Sequence, residues 1–222
     1  MSYFVLILVV MLMMGLASQN VQMTFKRFSQ VPIRKRISGA QAARYILDSN
    51  GLHHVAVERV HGNLTDHYDP RSKVLRLSEP VYDSYSISAV GVAAHEAGHA
   101  IQDKDGYGPL KLRQGLIPLA NFGSQIGLYV MVFGMMIAPL FGWIGFILYS
   151  LGVLAAVITL PVEFNASSRA LAQLTNYGII STEEYTGTKK VLNAAALTYV
   201  AAALGAIMTL IYWLMVLYNN RE

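Results

Sequence analysis

Two histidines separated by three residues carry the clearest chemical signal in this chain. They are His95 and His99, in the string His-Glu-Ala-Gly-His, with Glu96 beside the first of them. On an α-helix, residues i and i+4 share one face, so both imidazoles can bind a single cation. This pattern is typical of zinc metalloproteases, in which the glutamate acts as general base. The sequence therefore predicts zinc ligands at His95 and His99 and a catalytic base at Glu96, with two structural histidines as the alternative.

A third metal ligand must come from elsewhere, because catalytic zinc usually has three protein ligands and one open position. The chain has no cysteine, so this ligand is a histidine, an aspartate or a glutamate. Glu163 is the first acidic residue after Asp105 and directly follows a long apolar run. An acid at such a boundary can also be a plain surface residue. Because the membrane topology derived below puts Glu163 on the same side as the histidine pair, we predict that it is the third ligand.

Other residues are candidates for supporting roles. Arg169, His67 and Tyr185 are candidates for stabilising negative charge in the transition state, and the sequence does not choose among them. Arg169 can equally pair with an acid that orients a metal ligand, or cap the cytoplasmic end of the third span. The segment Val74–Leu77 is predicted to be an edge strand that aligns an extended peptide substrate by main-chain hydrogen bonds. Plain packing under the motif helix is the alternative for this segment.

Local patterns predict the elements that position these residues. Apolar residues at helical spacing over 37–51, with Ser38 as N-cap and Gly51 as the stop, predict a helix. Valines within 55–60 favour a strand, 63–70 is rich in turn-forming residues, and 73–78 favours a second short strand. The alanine-rich stretch 86–102 predicts the helix that carries both histidines.

The composition indicates an integral membrane protein. Of 222 residues, 54% are hydrophobic and only 14% are charged, against about a quarter charged in soluble domains. This excludes a disordered tail or a solvated binding module. Apolar runs cover 3–17, 116–162 and 194–218, and the middle run is long enough for two spans that turn near Pro139 and Gly142. We expect four transmembrane helices.

Basic residues predict the orientation of these spans. The cluster Lys26, Arg27, Arg34, Lys35 and Arg36 follows the first apolar run, and no Lys or Arg precedes it. A cleavable signal peptide has the opposite order. The positive-inside rule therefore places the N-terminus outside and the segment after the first span in the cytoplasm. The net charge of +4 belongs to this topology signal, so no nucleic-acid partner is expected.

The expected segments alternate between membrane and cytoplasm. They are an N-terminal transmembrane anchor (1–22), a cytoplasmic catalytic region with the HExxH helix (23–115), a transmembrane hairpin (116–162), a cytoplasmic segment with the third ligand (163–193) and a C-terminal transmembrane helix (194–218). The two cytoplasmic segments can then share one site.

The sequence resembles the YugP-like neutral zinc metallopeptidases, which are related in motif plan to the membrane-bound heat-shock and CAAX prenyl proteases. The resemblance covers nearly the whole chain and rests on the strings HEAGHA and PVEFNAS, the second at Pro161–Ser167. It implies that His95, His99 and Glu163 bind zinc and that Glu96 is the catalytic base.

One position departs from that pattern. The related proteases usually have an aspartate where Ser167 stands here, where it would orient a ligand histidine; Asn165, Ser168 and Asp103 are candidates to replace it. The HEAGHA string also occurs in AAA-type membrane metalloproteases, which need a glycine-rich phosphate loop. No GxxxxGK[ST] string is found in this chain, so no nucleotide is expected.

The sequence thus predicts a mainly α membrane protein with about four transmembrane helices and a small α+β, zincin-like catalytic region facing the cytoplasm. The expected function is that of a zinc endopeptidase of the cell membrane, with one Zn2+ per chain and peptide or protein substrates, membrane proteins among them. The alternatives are an inactive zinc-binding scaffold or regulator and a site-2-type intramembrane protease. Small residues such as Gly123, Gly127, Gly134 and Ala138 can pack helices within one chain or between copies, so a homo-oligomer stays open.

Overall fold

The structure is a computed structural model that describes residues 3–219. Its elements are α1 (Tyr3–Ser29), α2 (Gly39–Ser49), β1 (Ala56–Val60), β2 (His67–Asp69), β3 (Val74–Ser78), α3 (Glu79–Tyr82), α4 (Ile87–Lys104), α5 (Gly108–Gly134), α6 (Pro139–Asn176) and α7 (Thr182–Asn219). The predicted class, mainly α with a small sheet region, is confirmed. Residues 1 and 2 of the expected N-terminal anchor lie outside the described residues.

Four helices are long and apolar enough to cross a membrane, judged by length and composition. They are α1, α5, α6 and α7, and they agree with the four predicted spans. The turn between α5 and α6 covers residues 135–138. Pro139 is the first residue of α6, a position that tolerates proline because its missing N–H has no helical acceptor there.

The helices extend beyond the apolar runs. α6 continues past the last residue of the predicted hairpin through Glu163 to Asn176, and α7 already begins at Thr182. The added stretch of α6 contains alanine, leucine, arginine and glutamine, which favour helix without being uniformly apolar. Glu163 therefore lies inside a helix and not in a loop.

The chain divides into two compact units. One contains described residues 3–17, 108–162 and 197–219, and the other contains Ser18–Tyr107 and Glu163–Ala196. Every residue predicted for the site belongs to the second unit. This unit has its own hydrophobic core, in which side chains of α2, β3 and α4 are fully buried, among them Ile46, Leu75 and Ala97.

Small residues pack the helices of the first unit. A Cβ atom on Gly123 would lie 2.6 Å from the carbonyl oxygen of Leu148, and one on Gly127 would lie 2.6 Å from the amide nitrogen of Tyr149. Because real Cβ atoms do not approach that closely, these glycines let α5 and α6 come together. Gly123 and Gly127 thus pack helices within one chain, and a homo-oligomer stays a prediction.

The helix α2 follows its predicted pattern. The Ser38 side chain accepts a hydrogen bond from the Gln41 amide, and the Gln41 side chain accepts one from the Ser38 amide, which together form a capping box. Gly51 ends the segment with a φ of +72°, a left-handed conformation that favours glycine. Residues buried along one side of α2 then pack against α4.

The sheet has the strand order β1-β3-β2. Leu75 pairs with Val57 of β1 and Tyr68 of β2, and Arg76 pairs with Glu58 and His67. The prediction that Val74–Leu77 is an edge strand is therefore wrong, because both sides of β3 are already paired. The edges are β1 and β2. β2 falls inside the stretch predicted as turns, and at three residues it is too short to produce a visible alternation.

Candidate metal centre

The helix α4 presents both motif histidines on one face. Ser86 caps its N-terminus by accepting a hydrogen bond from the Ala89 amide, and the opposite faces of the helix are buried by alanine side chains. The rings of His95 and His99 lie edge to face, with centroids 4.7 Å apart. The i, i+4 spacing thus places the two imidazoles next to each other, as the sequence predicts.

Gly98 lets α6 reach these histidines. A Cβ atom on Gly98 would lie 2.6 Å from the carbonyl oxygen of Ala166, so only glycine permits this approach of the two helices. Ala166 is one helical turn after Glu163, and both are buried. The close contact between α4 and α6 therefore delivers the Glu163 carboxylate to the histidine pair.

The three side chains converge on a single point. Glu163 Oε2 lies 3.2 Å from His95 Nε2 and 3.6 Å from His99 Nε2. Two ligands about 2.1 Å from a tetrahedral zinc ion are separated by about 3.4 Å. One ligand atom of each residue lies within 4.8 Å of the others. Two imidazoles and one carboxylate at these separations fit the donor set and the spacing of a zinc site with one open position.

A chain of hydrogen bonds defines the tautomer of His99. Arg169 Nε donates to Asn165 Oδ1 over 2.8 Å, and Gln102 Nε2 donates to the same oxygen over 2.9 Å. Because arginine can only donate, the Asn165 atom must be its oxygen, and Gln102 must then turn its own oxygen toward His99 Nδ1, 2.9 Å away. His99 Nδ1 therefore carries the proton, which leaves the lone pair of Nε2 to bind a cation in the cluster of His95, His99 and Glu163.

His95 is held more simply. Its Nδ1 lies 3.1 Å from the hydroxyl of Ser167, the position at which the resemblance leads one to expect an aspartate. A hydroxyl group can donate or accept, so it orients the ring without selecting a tautomer. Ser167 is itself buried on α6, four residues after Glu163.

Buried charges shift the pKa values of groups around the cluster. Burial alone would lower the pKa of His99, but the hydrogen bond to Glu163 and the charges of Glu96 and Glu163 outweigh it and raise this pKa above its ordinary value. Burial also raises the pKa of Asp66, which accepts hydrogen bonds from the amide and hydroxyl of Ser78. The charges of Glu96 and Glu163 thus favour a positive charge at His99.

Glu96 lies beside the cluster and is hydrogen-bonded to the sheet. Its Oε2 accepts a hydrogen bond of 3.0 Å from the backbone amide of Tyr68 on β2, and its side chain is largely buried. The Tyr68 hydroxyl donates to Asp103 over 2.7 Å, and burial together with this acid raises the tyrosine pKa well above its ordinary value. β2 and α4 are therefore linked at both ends of Tyr68.

The remaining candidates occupy varied positions. Arg169 forms an ion pair with Asp105 and donates a hydrogen bond to Asn165. His67 is exposed on β2, with its Nδ1 2.8 Å from the carbonyl oxygen of Thr65. Tyr185 packs partly buried against the core of the second unit.

Of the residues considered as replacements for the missing aspartate, Asn165 takes part in the His99 chain. Ser168 donates instead to the carbonyl oxygen of Phe164, and Asp103 binds Tyr68 and Lys73. Sequence reasoning missed Gln102. Its spacing of three residues after His99 puts it on the same helical face, and this was the available signal.

Known proteins resemble this chain over nearly its full length. A family model described as "Putative neutral zinc metallopeptidase" matches residues 3–218. A relative named "Putative membrane protease YugP", from Bacillus subtilis (strain 168), is 48% identical over 207 residues, which cover 93% of this chain and 92% of the relative. No solved structure matches the chain.

Proposed function

The chain belongs to the family described as "Putative neutral zinc metallopeptidase", and on that premise we propose that it is a membrane-anchored zinc endopeptidase. In this proposal His95, His99 and Glu163 bind one zinc ion per chain, and Glu96 is the general base. The observation that carries it is the convergence of both histidine Nε2 atoms on one oxygen of Glu163. The family description supports peptide bonds as the substrate class.

Zinc, when bound, would acidify a water molecule and polarise the carbonyl group of the scissile bond. Glu96 takes the proton from the attacking water and passes it to the leaving amine. Its hydrogen bond to the Tyr68 amide supports this role, because it holds the carboxylate in place. Gln102 and Ser167 orient the two ligand rings. His67 and Tyr185 remain the candidates for stabilising the oxyanion, since Arg169 is engaged by two other side chains.

The position of the motif favours a soluble-side peptidase over an intramembrane one. Both histidines lie on α4, which is not among the four candidate spans of the described chain. The basic cluster after the first span supports an active site on the cytoplasmic side of the cell membrane with the N-terminus outside. Peptides and proteins that are soluble or exposed at this surface are then the substrates.

A test separates the zinc site from the catalytic base. We expect the full-length Glu96→Gln variant, purified in detergent, to keep its zinc and lose cleavage of casein by a factor of about 10² or more, because a general base contributes about 10²- to 10⁴-fold. Glu58→Gln is the matched control, since Glu58 is an exposed acid of the same unit that pairs with Arg76. Cleavage by Glu96→Gln at the wild-type rate would contradict the proposal.

The zinc-loaded wild-type protein provides the second comparison. If it cleaves neither casein nor a set of quenched peptides, while holding zinc, the inactive scaffold becomes the better description. Cleavage that chelation abolishes and zinc restores supports the peptidase.

A further inference from the structure

A groove in the second unit begins next to the metal centre. It is lined by residues of α6 between 164 and 176 and of α7 between 185 and 193, and its volume is about 400 Å³. Ser167 is one of these lining residues, and its hydroxyl lies 3.1 Å from His95 Nδ1. The groove therefore comes within one hydrogen bond of a proposed zinc ligand.

The lining suits a peptide segment. Phe164 and Leu171 contribute apolar surface, and Ser168, Tyr185 and Asn193 contribute hydroxyl and amide groups. Of the ten lining residues, three are wholly apolar and seven carry a hydroxyl, amide or ammonium group. Peptide side chains and main-chain groups can use both kinds of contact.

The charge in this groove has one sign. Lys189 is the charged residue among the described lining residues, which include no aspartate or glutamate. Lys189 is exposed and has no ion-pair partner within residues 3–219. Some cations of the same unit do have one, for example Arg34 with Glu183 and Arg59 with Asp83, whereas others, such as Lys190, have none within the described residues. An ammonium group without an acidic neighbour leaves a positive potential in the groove.

We propose that this groove is a substrate subsite in which Lys189 selects peptides that carry a carboxylate near the scissile bond. The carboxylate comes from an aspartate or glutamate side chain or from the C-terminus of the substrate. The proposal rests on the proposed peptidase function, because it locates part of the substrate of that same site. Lys189 binds and does not react, so it determines specificity.

Binding can be measured without cleavage. Zinc-loaded Glu96→Gln protein in detergent is titrated calorimetrically with three unlabelled peptides of equal length: one neutral and amidated, one amidated with an internal glutamate, and one neutral with a free C-terminus. We expect at least one carboxylate-bearing peptide to bind about fivefold more tightly than the neutral one at low salt, as an exposed ion pair of about 1 kcal/mol gives. Which of the two gains affinity identifies the source of the carboxylate. High salt reduces the difference.

Two neighbouring lysines provide the control. Lys189→Glu, made in the Glu96→Gln background, reverses the preference, whereas Lys190→Glu in that background retains it because Lys190 is exposed but does not line the groove. Both are surface changes, and their thermal unfolding midpoints verify the fold. Equal affinity for all three peptides, failure of every peptide to bind, or equal effects of the two substitutions would overturn the proposal.

Failure of this proposal and failure of the peptidase function give different results. If the wild-type protein cleaves neutral and carboxylate-bearing peptides with equal kcat/KM, the proposed peptidase function stands. The proposal that the groove selects carboxylates then fails. If binding shows a charge preference that depends on Lys189 but the wild type cleaves no peptide, the groove stands as a binding site. The proposed peptidase function then fails.

Discussion

The two histidines of the candidate metal centre lie one turn apart on α4 but have very different surroundings. The Nδ1 atom of His95 contacts a hydroxyl group, that of Ser167. His99 is the end of a chain that runs through Gln102 and Asn165 to Arg169. The amide chain dictates which nitrogen carries the proton, whereas the hydroxyl adapts to either tautomer. The tautomer of His99 is therefore fixed in advance (the preset side), whereas that of His95 can change (the adjustable side).

The hydrogen-bond chain on the preset side, at His99, also joins two distant parts of the sequence. Gln102 belongs to α4 and Asn165 to α6, and the contact of Arg169 with Asp105 links the same two segments again. Orientation of His99 is thus coupled to the packing that brings Glu163 to the site. The difference between the two histidines predicts a defined order in which substitutions weaken zinc binding.

Loss of the close helix contact should have the largest effect, because it disturbs both sides at once. In Gly98→Ala the new Cβ meets the Ala166 carbonyl oxygen at 2.6 Å, and such overpacking costs about 1–3 kcal/mol. We expect a lower unfolding midpoint and at least a tenfold loss of zinc affinity, measured by thermal unfolding and by competition with a chelator.

Gly91→Ala is the matched control for this change, since both substitutions gain the same helix propensity of about 1 kcal/mol. Its Cβ meets only a methyl group of Thr188, at 3.1 Å. Equal results for the two variants would show that the approach of α6 at Gly98 does not position Glu163.

Loss of the preset side comes next. Gln102→Ala leaves His99 Nδ1 and Asn165 without their shared partner, and removal of a group that orients a metal ligand typically costs about 10- to 100-fold in metal affinity. We expect a loss in this range by chelator competition. Gln173→Ala is the control, because its amide contacts Asn50 and not the cluster. An unchanged zinc affinity in Gln102→Ala would remove the proposed role of the chain.

Loss of the adjustable side should be the mildest change. Ser167→Ala removes one neutral hydrogen bond of about 0.5–1 kcal/mol, which corresponds to roughly two- to fivefold in zinc affinity. The same chelator assay compares it with Gln102→Ala. If Ser167→Ala weakens zinc binding as much as Gln102→Ala, the two histidines are held equally and the comparison fails.

Several features could be read from the sequence because they depend on local spacing. The i, i+4 histidines, the N-cap at Ser38 and the four apolar spans all follow from patterns within a few helical turns. Glu163 could be singled out by its position after a long apolar run. Its role as a ligand stays a prediction, although the structure brings it to the histidines.

Other features depend on contacts between distant segments. The central position of β3 is decided by β2, a strand of three residues that pairs across a turn. The partner of His99 is a glutamine whose orientation is decided by Arg169, 67 residues later in the chain. No local pattern contains this information, because it arises from the packing of α4 on α6.

Zinc content tests the central claim most directly. Elemental analysis of the full-length protein, purified in detergent with zinc supplied and excess removed, is compared between wild type and Glu163→Ala. We predict about one zinc per chain in the wild type and a loss of most of it in the variant, because catalytic zinc sites use three protein ligands. Wild-type protein without zinc, or Glu163→Ala with the full wild-type content, would contradict the assignment of His95, His99 and Glu163 as the zinc site.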